Sequence, residues 1–519
     1  MSLRDLYRPS LALLTDLYQV TMAQGYWKAG LDRRGAVFQL NFRRPPFGGA
    51  FAVACGLEAV VDMVEGFSFG PDDLEYLASL RAAGGQPLFE QAFLDHLAEL
   101  EPSCRIDAMP EGTICLAYEP ILRVEGPLLL CQLLETSLLN LVNFQTLIAT
   151  KSARICHLAA QGDAVVDFGL RRAQGIDGGV SAARAAYVGG AVATSNLLAG
   201  KLYGIPVRGT HAHSWVMAFE SELESFRQFA ASQPDNCFLL VDTYDTERGI
   251  EHAIEVGHEL AASGHRLAGI RLDSGDLVEL SRLARRRLDE EGLEDVSIVA
   301  SGDLDEDRIA ELRARGARVD SWGVGTRLIT GRGEGALGGV YKLSAIETGS
   351  GEFRGVVKVS EEPGKSTAPG RRQVRRYRRE GALVGDAIWA LESGPPGEHG
   401  QPVTVSDGVT GLEREVEGWD EHEDLLRPLI LRGRRVGERE PLAAARERVA
   451  CEMAALPESA RRLSDAEPIL WGYERRLFER KMQLIEEARG SREGFAFAST
   501  RERRATGSVA GTVEGRRES

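Results

Sequence analysis

The chain has 519 residues, 43% hydrophobic and 27% charged, with a formal net charge of -15. That size supports a large buried core and roughly two to four domains, and the acidic balance argues against nucleic acid or an anionic membrane as a default partner. Its seven cysteines form no Cys-x-x-Cys pair, and no run of about 18 uninterrupted apolar residues occurs, so a disulfide scaffold, a structural zinc site and a membrane span are not expected and a cytoplasmic location is.

Residues 1–125 read as mixed. TDLYQVTMAQGYWKAG predicts a helix that starts at a Thr or Asp cap and stops at Gly30. AVFQLNFRR alternates like a strand, GLEAVVDMVEGF and DDLEYLASLRAAG have helical spacing, and CRIDAMPEGTICLAYEPILRVEGPLLL reads as short strands separated by turns.

Residues 126–345 change register. A long helix is expected over LLETSLLNLVNFQTLIATKSARICHLAAQG. Strand-like AVVDFG, AVATSN, PVRGT, CFLLVDT, LAGIRLD, SIVASG and DSWGVGT then alternate with helical stretches. Repeated β-α alternation over this length predicts a parallel α/β fold. Nearly every strand ends in a polar tip, among them Asp167-Phe168-Gly169, Gly209-Thr210-His211, Asp242-Thr243 and Ser301-Gly302-Asp303. Function spread over many strand ends favours a barrel over a doubly wound sheet.

From 346 to 490 turn-rich segments lead into short strands and then helices, including ILWGYERRLFERKMQLIEEARG. The Arg-, Gly- and Ser-rich stretch 491–519 has no periodicity and reads as a disordered tail.

The strand tips carry the chemistry. In VRGTHAHSW, His211 and His213 share a face of an extended segment and could be a metal pair, a nucleophile with its partner, or surface residues. In LAGIRLDSGDL, Arg271 and Asp273 share a face: a guanidinium suited to carboxylate or phosphate, with an acid that restrains it, holds Mg²⁺ through water, or simply makes a structural ion pair. VVDFGLRRAQG sets Phe168 near Arg171, which suits an aromatic acid or is a solvated turn. Gly302 with Asp303, and Gly325 with Thr326, sit in Gly-rich strand ends whose backbone donors suit phosphate, or are ordinary turns. EEPGKSTAPGRRQ, with Lys365 and Thr367, reads as a solvated basic loop or a polyanion contact.

Taken in order, LLTDLYQVTMAQGYW, DFGLRRAQG, GTHAHSW, LDSGDL, GVGTRL…GGVYKL and the KST loop resemble the nicotinate phosphoribosyltransferase family over about residues 9–480. The resemblance implies an irregular parallel α/β barrel with a second α+β domain, built from the N-terminal part and the post-barrel strands. It implies a homodimer with shared active sites, and nicotinate, phosphoribosyl pyrophosphate and ATP as substrates, with Mg²⁺. The products would be nicotinate mononucleotide, pyrophosphate, ADP and phosphate, in a ligase-type step of NAD biosynthesis. By motif, Tyr18 (from the neighbouring subunit), Phe168, Thr210 and Arg271 fall on nicotinate contacts. Arg171, Asp273, Gly302, Asp303, Gly325, Thr326 and Thr367 fall around the ribose phosphates. His213 falls on a phosphohistidine, and His213 with Asp273 are the catalytic candidates. Rival expectations are a nicotinamide phosphoribosyltransferase, disfavoured by Asn196 where that enzyme has an acid, a type I phosphoribosyltransferase using Asp242 and Asp245, a binding protein on the same fold, and a metal-dependent barrel lyase.

Overall fold

The structure, a computed structural model, describes residues 10–159, 162–397 and 400–505. Its centre is a six-stranded sheet of Ala164–Asp167, Ala193–Thr194, Cys237–Leu240, Leu267–Leu272, Ser297–Ala300 and Ser321–Val324. All its ladders are parallel. The first strand pairs with the last, Val166 with Gly323 and Asp167 with Val324, so the sheet curls round on itself. The expected strand PVRGT is reduced to a single parallel bridge between Thr194 and Val207. The helices that follow the later strands each start on an aspartate. Asp245, Asp276 and Asp305 accept backbone N–H groups at the starts of Thr246–Ala262, Leu277–Glu290 and Glu306–Ala314. Such caps satisfy donors that a helix start leaves unpaired, and they set the strand-to-helix turn.

One junction of the barrel has no ladder, that between the segment at Val207 and the strand Cys237–Leu240. A side chain bridges it. Leu240 N–H donates to His211 Nε2 at 3.1 Å, and His211 Nδ1 faces the Ala212 carbonyl at 3.4 Å. The ring is 7% exposed and lies edge-on to Phe229, with centroids 4.8 Å apart. Only a neutral imidazole can accept through one nitrogen while donating through the other. Burial enforces that form, pulling the His211 pKa down to about 4.

A second sheet is antiparallel and joins two distant parts of the chain. Gly35–Phe42, Arg105–Ala108 and Leu122–Pro127 come before the barrel; Gly339–Glu347, Phe353–Gly355, Arg427–Leu431 and Arg434–Arg435 come after it. Gly35–Phe42 sits between Gly339–Glu347 and Leu122–Pro127. The returning strand begins at Gly339, within the stretch that periodicity assigns to the barrel. A third sheet carries Arg372–Arg379, Ala382–Ala390 and Trp471–Glu474. The last of these was expected to be helical; it pairs in parallel with Ala382–Ala390, and the helix starts only at Arg475. That helix runs to Ala505, so the expected disordered tail falls partly on it and otherwise outside the described residues. The long helix Glu135–Leu158 joins sheet and barrel, and its Lys151 and Arg154 are buried against Glu306. Among the described residues no helix is long and apolar enough to cross a membrane.

The His211 wedge makes stability pH-dependent in a defined direction. Its folded pKa of about 4 lies below the ordinary 6.5. The unfolded chain therefore binds the extra proton first, and the contribution is complete above about pH 6.5 and lost as pH falls toward 4. Wild type is expected to lose about 2–3 kcal/mol more than His211→Gln between about pH 7 and about pH 4.5, because a carboxamide oxygen accepts the Leu240 N–H without titrating. Denaturant unfolding of both chains at the two pH values measures this; parallel losses would show that His211 is not the titrating wedge.

Candidate active site

The strand tips form one open cleft of about 460 Å³ at the C-terminal ends of the parallel strands. Phe168, Arg171, Arg271, Asp273, Gly302, Asp303, Gly325 and Thr326 all line it, together with Ser301 and Gly323. The sequence scatters these residues over 159 positions, from 168 to 326; strand order gathers them.

Arg271 is the hub. Its Nε donates to Ser301 Oγ at 2.8 Å, Nη1 to Thr210 Oγ1 at 3.0 Å, and Nη2 to Asp273 Oδ1 at 2.7 Å. A guanidinium has five N–H donors. Three are engaged, and among the described residues one on each Nη has no partner. The Phe168 ring lies beside it, with the Arg271 Cζ 5.4 Å from the ring centroid. Gly323 makes room for that ring: a Cβ there would stand 2.5 Å from Phe168 Cε2. Burial alone would raise the Asp273 pKa, but the Ser301 hydroxyl and the Arg271 guanidinium outweigh it and hold the carboxyl below its ordinary value.

Gly302 has φ +94°, and a Cβ there would stand 2.1 Å from the Asp273 carbonyl oxygen. The Ser301–Asp303 tip thus folds directly against the Asp273 backbone, a geometry that needs glycine. Asp273 N–H and the Ser274 hydroxyl both donate to Asp242 Oδ2, at 3.0 and 2.6 Å, which ties this tip to the next strand.

The two histidines have different environments. His211 is the buried wedge. His213 is half-buried at the start of the short helix His213–Met217, with Nδ1 3.1 Å from Thr243 Oγ1. Among the described residues its Nε2 has no hydrogen-bond partner.

Thr210 reaches the cleft through its bond to Arg271 and His213 is not among the lining residues; nor, within one chain, are Tyr18, Thr367 and Asn196. Tyr18 is 49% exposed on the helix Leu17–Lys28, beside exposed Leu14, Leu17 and Met22. Thr367 accepts the Lys358 N–H through its hydroxyl at 2.8 Å, inside its own loop. Asn196 is 1% exposed and caps the helix Leu197–Tyr203, its amide donating to the Gly179 carbonyl. It therefore offers the cleft neither an acid nor a free amide. Sequence reasoning flagged the tips holding Ser301 and Thr243 but gave these residues no role, because their partners lie on other strands, and it considered Asp242 only as an acid of a rival type I site. Among the described residues no cluster of three or more His, Cys, Asp and Glu could hold a metal. Asp273 and Asp303 do place two carboxylates in the cleft lining, a donor set that fits hydrated Mg²⁺ carried in by a diphosphate.

Three family models match the chain. The nicotinate phosphoribosyltransferase N-terminal domain covers residues 13–143, the nicotinate phosphoribosyltransferase family 164–380, and the nicotinate phosphoribosyltransferase C-terminal domain 371–479. A nicotinate phosphoribosyltransferase of Bacillus subtilis is 48% identical over 371 residues, 71% of this chain and 73% of the relative. One from Mycobacterium tuberculosis is 42% identical over 457 residues, 88% of this chain and 89% of the relative. The crystal structure of human nicotinic acid phosphoribosyltransferase superposes with a TM-score of 0.78 at 32% identity, covering 91% of this chain and 99% of that one.

Gly302→Ala is expected to cost about 1–3 kcal/mol from backbone strain, and to displace Asp273. Denaturant unfolding and a titration of the diphosphate substrate measure the two effects; an alanine chain as stable and as tightly binding as wild type would refute the close approach.

Proposed function

The chain belongs to the nicotinate phosphoribosyltransferase family, and we propose that its cleft joins nicotinate to phosphoribosyl pyrophosphate with ATP as co-substrate. The observation that carries this reading is Arg271. It sits beside the Phe168 ring with one N–H still free on each Nη. That pair of donors suits a planar carboxylate, while the ring suits an aromatic body. An amide would satisfy the cation less well, so the site favours the acid over nicotinamide.

In the transfer, the nicotinate ring nitrogen bonds to the anomeric carbon of the ribose as the bond from that carbon to the pyrophosphate oxygen breaks. Pyrophosphate leaves with the electron pair. The ring nitrogen has no proton to lose, so the cleft needs no base for this step; its work is to align the reactants and to stabilise charge on the leaving group. Arg171, Gly302, Asp303, Gly325 and Thr326 line the side suited to the ribose phosphates. Asp273 and Asp303 would hold Mg²⁺ through water, where the ion supplies positive charge beside the pyrophosphate.

His213 is the residue we assign to ATP. Thr243 holds Nδ1 and leaves Nε2 open, the arrangement a nucleophilic imidazole needs. Nε2 takes the γ-phosphoryl group and ADP departs; water later cleaves the phosphoimidazole to return histidine and phosphate. Coupling follows if the phosphorylated form binds the substrates more tightly than the free form does.

Tyr18 does not line its own chain's cleft, so it joins the reading through a homodimer in which a second copy supplies it, while Thr367 belongs with the residues around the ribose phosphates. The exposed apolar group Leu14, Leu17, Tyr18 and Met22 gives that contact a surface.

Product analysis after mixing the protein with nicotinate, phosphoribosyl pyrophosphate, Mg²⁺ and ATP tests the reaction: nicotinate mononucleotide is expected, and its absence would overturn the assignment. Brief exposure to ATP followed by intact-mass measurement is expected to show one acid-labile phosphate on wild type and on His211→Gln, and none on His213→Ala; a phosphate on the last chain would move the acceptor elsewhere. Mixing inactive Tyr18→Ala with inactive Arg271→Ala is expected to restore activity, because each hybrid dimer holds one intact site. Hybrid dimers that form and remain inactive would exclude shared sites.

A further inference from the structure

We infer that Ser301 is a positioning residue that sets selectivity for the acid by locking Arg271 and Asp273 into one closed hydrogen-bonded ring. This rests on reading Arg271 as the partner of the nicotinate carboxylate. Three bonds close the ring. Arg271 Nε donates to Ser301 Oγ at 2.8 Å, the Ser301 hydroxyl donates to Asp273 Oδ1 at 2.5 Å, and Arg271 Nη2 donates to the same Oδ1 at 2.7 Å. A hydroxyl accepts from the guanidinium and donates to the carboxylate through one atom, which an apolar side chain cannot do. The other acceptor within reach, the Leu272 carbonyl, is 3.4 Å away. Ser301 is 2% exposed, so water is poorly placed to take over.

The ring decides what Arg271 has left to offer. Arginine and aspartate two residues apart on one strand face would otherwise close into a two-pronged pair, with Nε and Nη2 both on the carboxylate. The serine prevents this by taking Nε for itself, and Thr210 takes one N–H of Nη1. The guanidinium plane is then held by three separate strand tips, with one N–H free on each Nη. Without the hydroxyl, Nε has no acceptor at its present place, and the guanidinium turns onto Asp273. The substrate carboxylate then competes with an internal one.

The test is a split in kinetic constants. Ser301→Ala is expected to raise the nicotinate KM about tenfold or more, in line with the loss of one charge-assisted hydrogen bond. The preference for nicotinate over nicotinamide is expected to fall by a similar factor. The kcat at saturating nicotinate is expected to fall much less than the nicotinate KM rises, and the KM for phosphoribosyl pyrophosphate to rise by a smaller factor than the nicotinate KM, through the altered hold on Asp273. Ser301→Thr keeps the hydroxyl and is expected to restore nicotinate KM and selectivity; Ser301→Cys, whose thiol makes the same bonds weakly, is expected to fall between Ala and Ser. Unchanged KM and selectivity in the alanine chain would overturn the inference, as would a uniform fall in every constant together with Tm. Arg271→Ala measured alongside separates the two levels. If it loses selectivity while Ser301→Ala does not, only the serine's role falls. If neither changes selectivity, the reading of Arg271 falls and takes the serine's role with it.

Discussion

A guanidinium at the mouth of a barrel must have its donors satisfied, and the way Arg271 meets that demand organises the site. Its three bonds reach the tip after Val207, the tip after Ser297–Ala300, and the acid two residues along its own strand. Each bond that restrains the cation also restrains a neighbour. Thr210 stands one residue before His211, Ser301 one residue before Gly302, and Asp273 one residue before Ser274. The cation thus fixes the backbone of the segments that line the cleft. An unpaired charge in this half-buried place would cost more than any one of these bonds contributes.

The barrel that carries these tips depends on two closures of different kinds. Pairing the first strand with the last is ordinary backbone work. The closure at His211 is side-chain work, because the segment at Val207 is too irregular to form a ladder with Cys237–Leu240. The irregularity has a use. The chain turns from His211 into a helix at His213 within two residues, and the tip of Cys237–Leu240 supplies Thr243 to the second histidine. A regular strand at this point would have held both rings in equivalent environments.

Much of the fold was legible in the sequence. Apolar runs alternating with amphipathic stretches indicated the parallel strands and their helices, while the aspartate caps at Asp245, Asp276 and Asp305 came only with the structure. Where the reading missed, long-range pairing was the cause. Trp471–Glu474 looks helical in its own neighbourhood and becomes a strand because Ala382–Ala390 offers it a ladder. PVRGT looks like a strand and forms a single bridge, since its other edge meets a histidine ring. At Asn196 the absence of an acid was legible in the sequence, while its work as a helix cap with its amide on the Gly179 carbonyl was not.

By itself the sequence determined which residue types stand at the strand tips, and with them the class of chemistry. Alternation along a strand is a local rule, so the shared face of Arg271 and Asp273 followed from spacing alone. Tertiary structure decided which tips touch. That Ser301 and Thr210 flank Arg271, that Gly323 seats Phe168, and that His211 is buried while His213 keeps an open nitrogen all depend on the order of strands around the barrel. Strand order is set by how the whole set of apolar faces and backbone donors is satisfied at once, a balance that no single stretch of sequence contains.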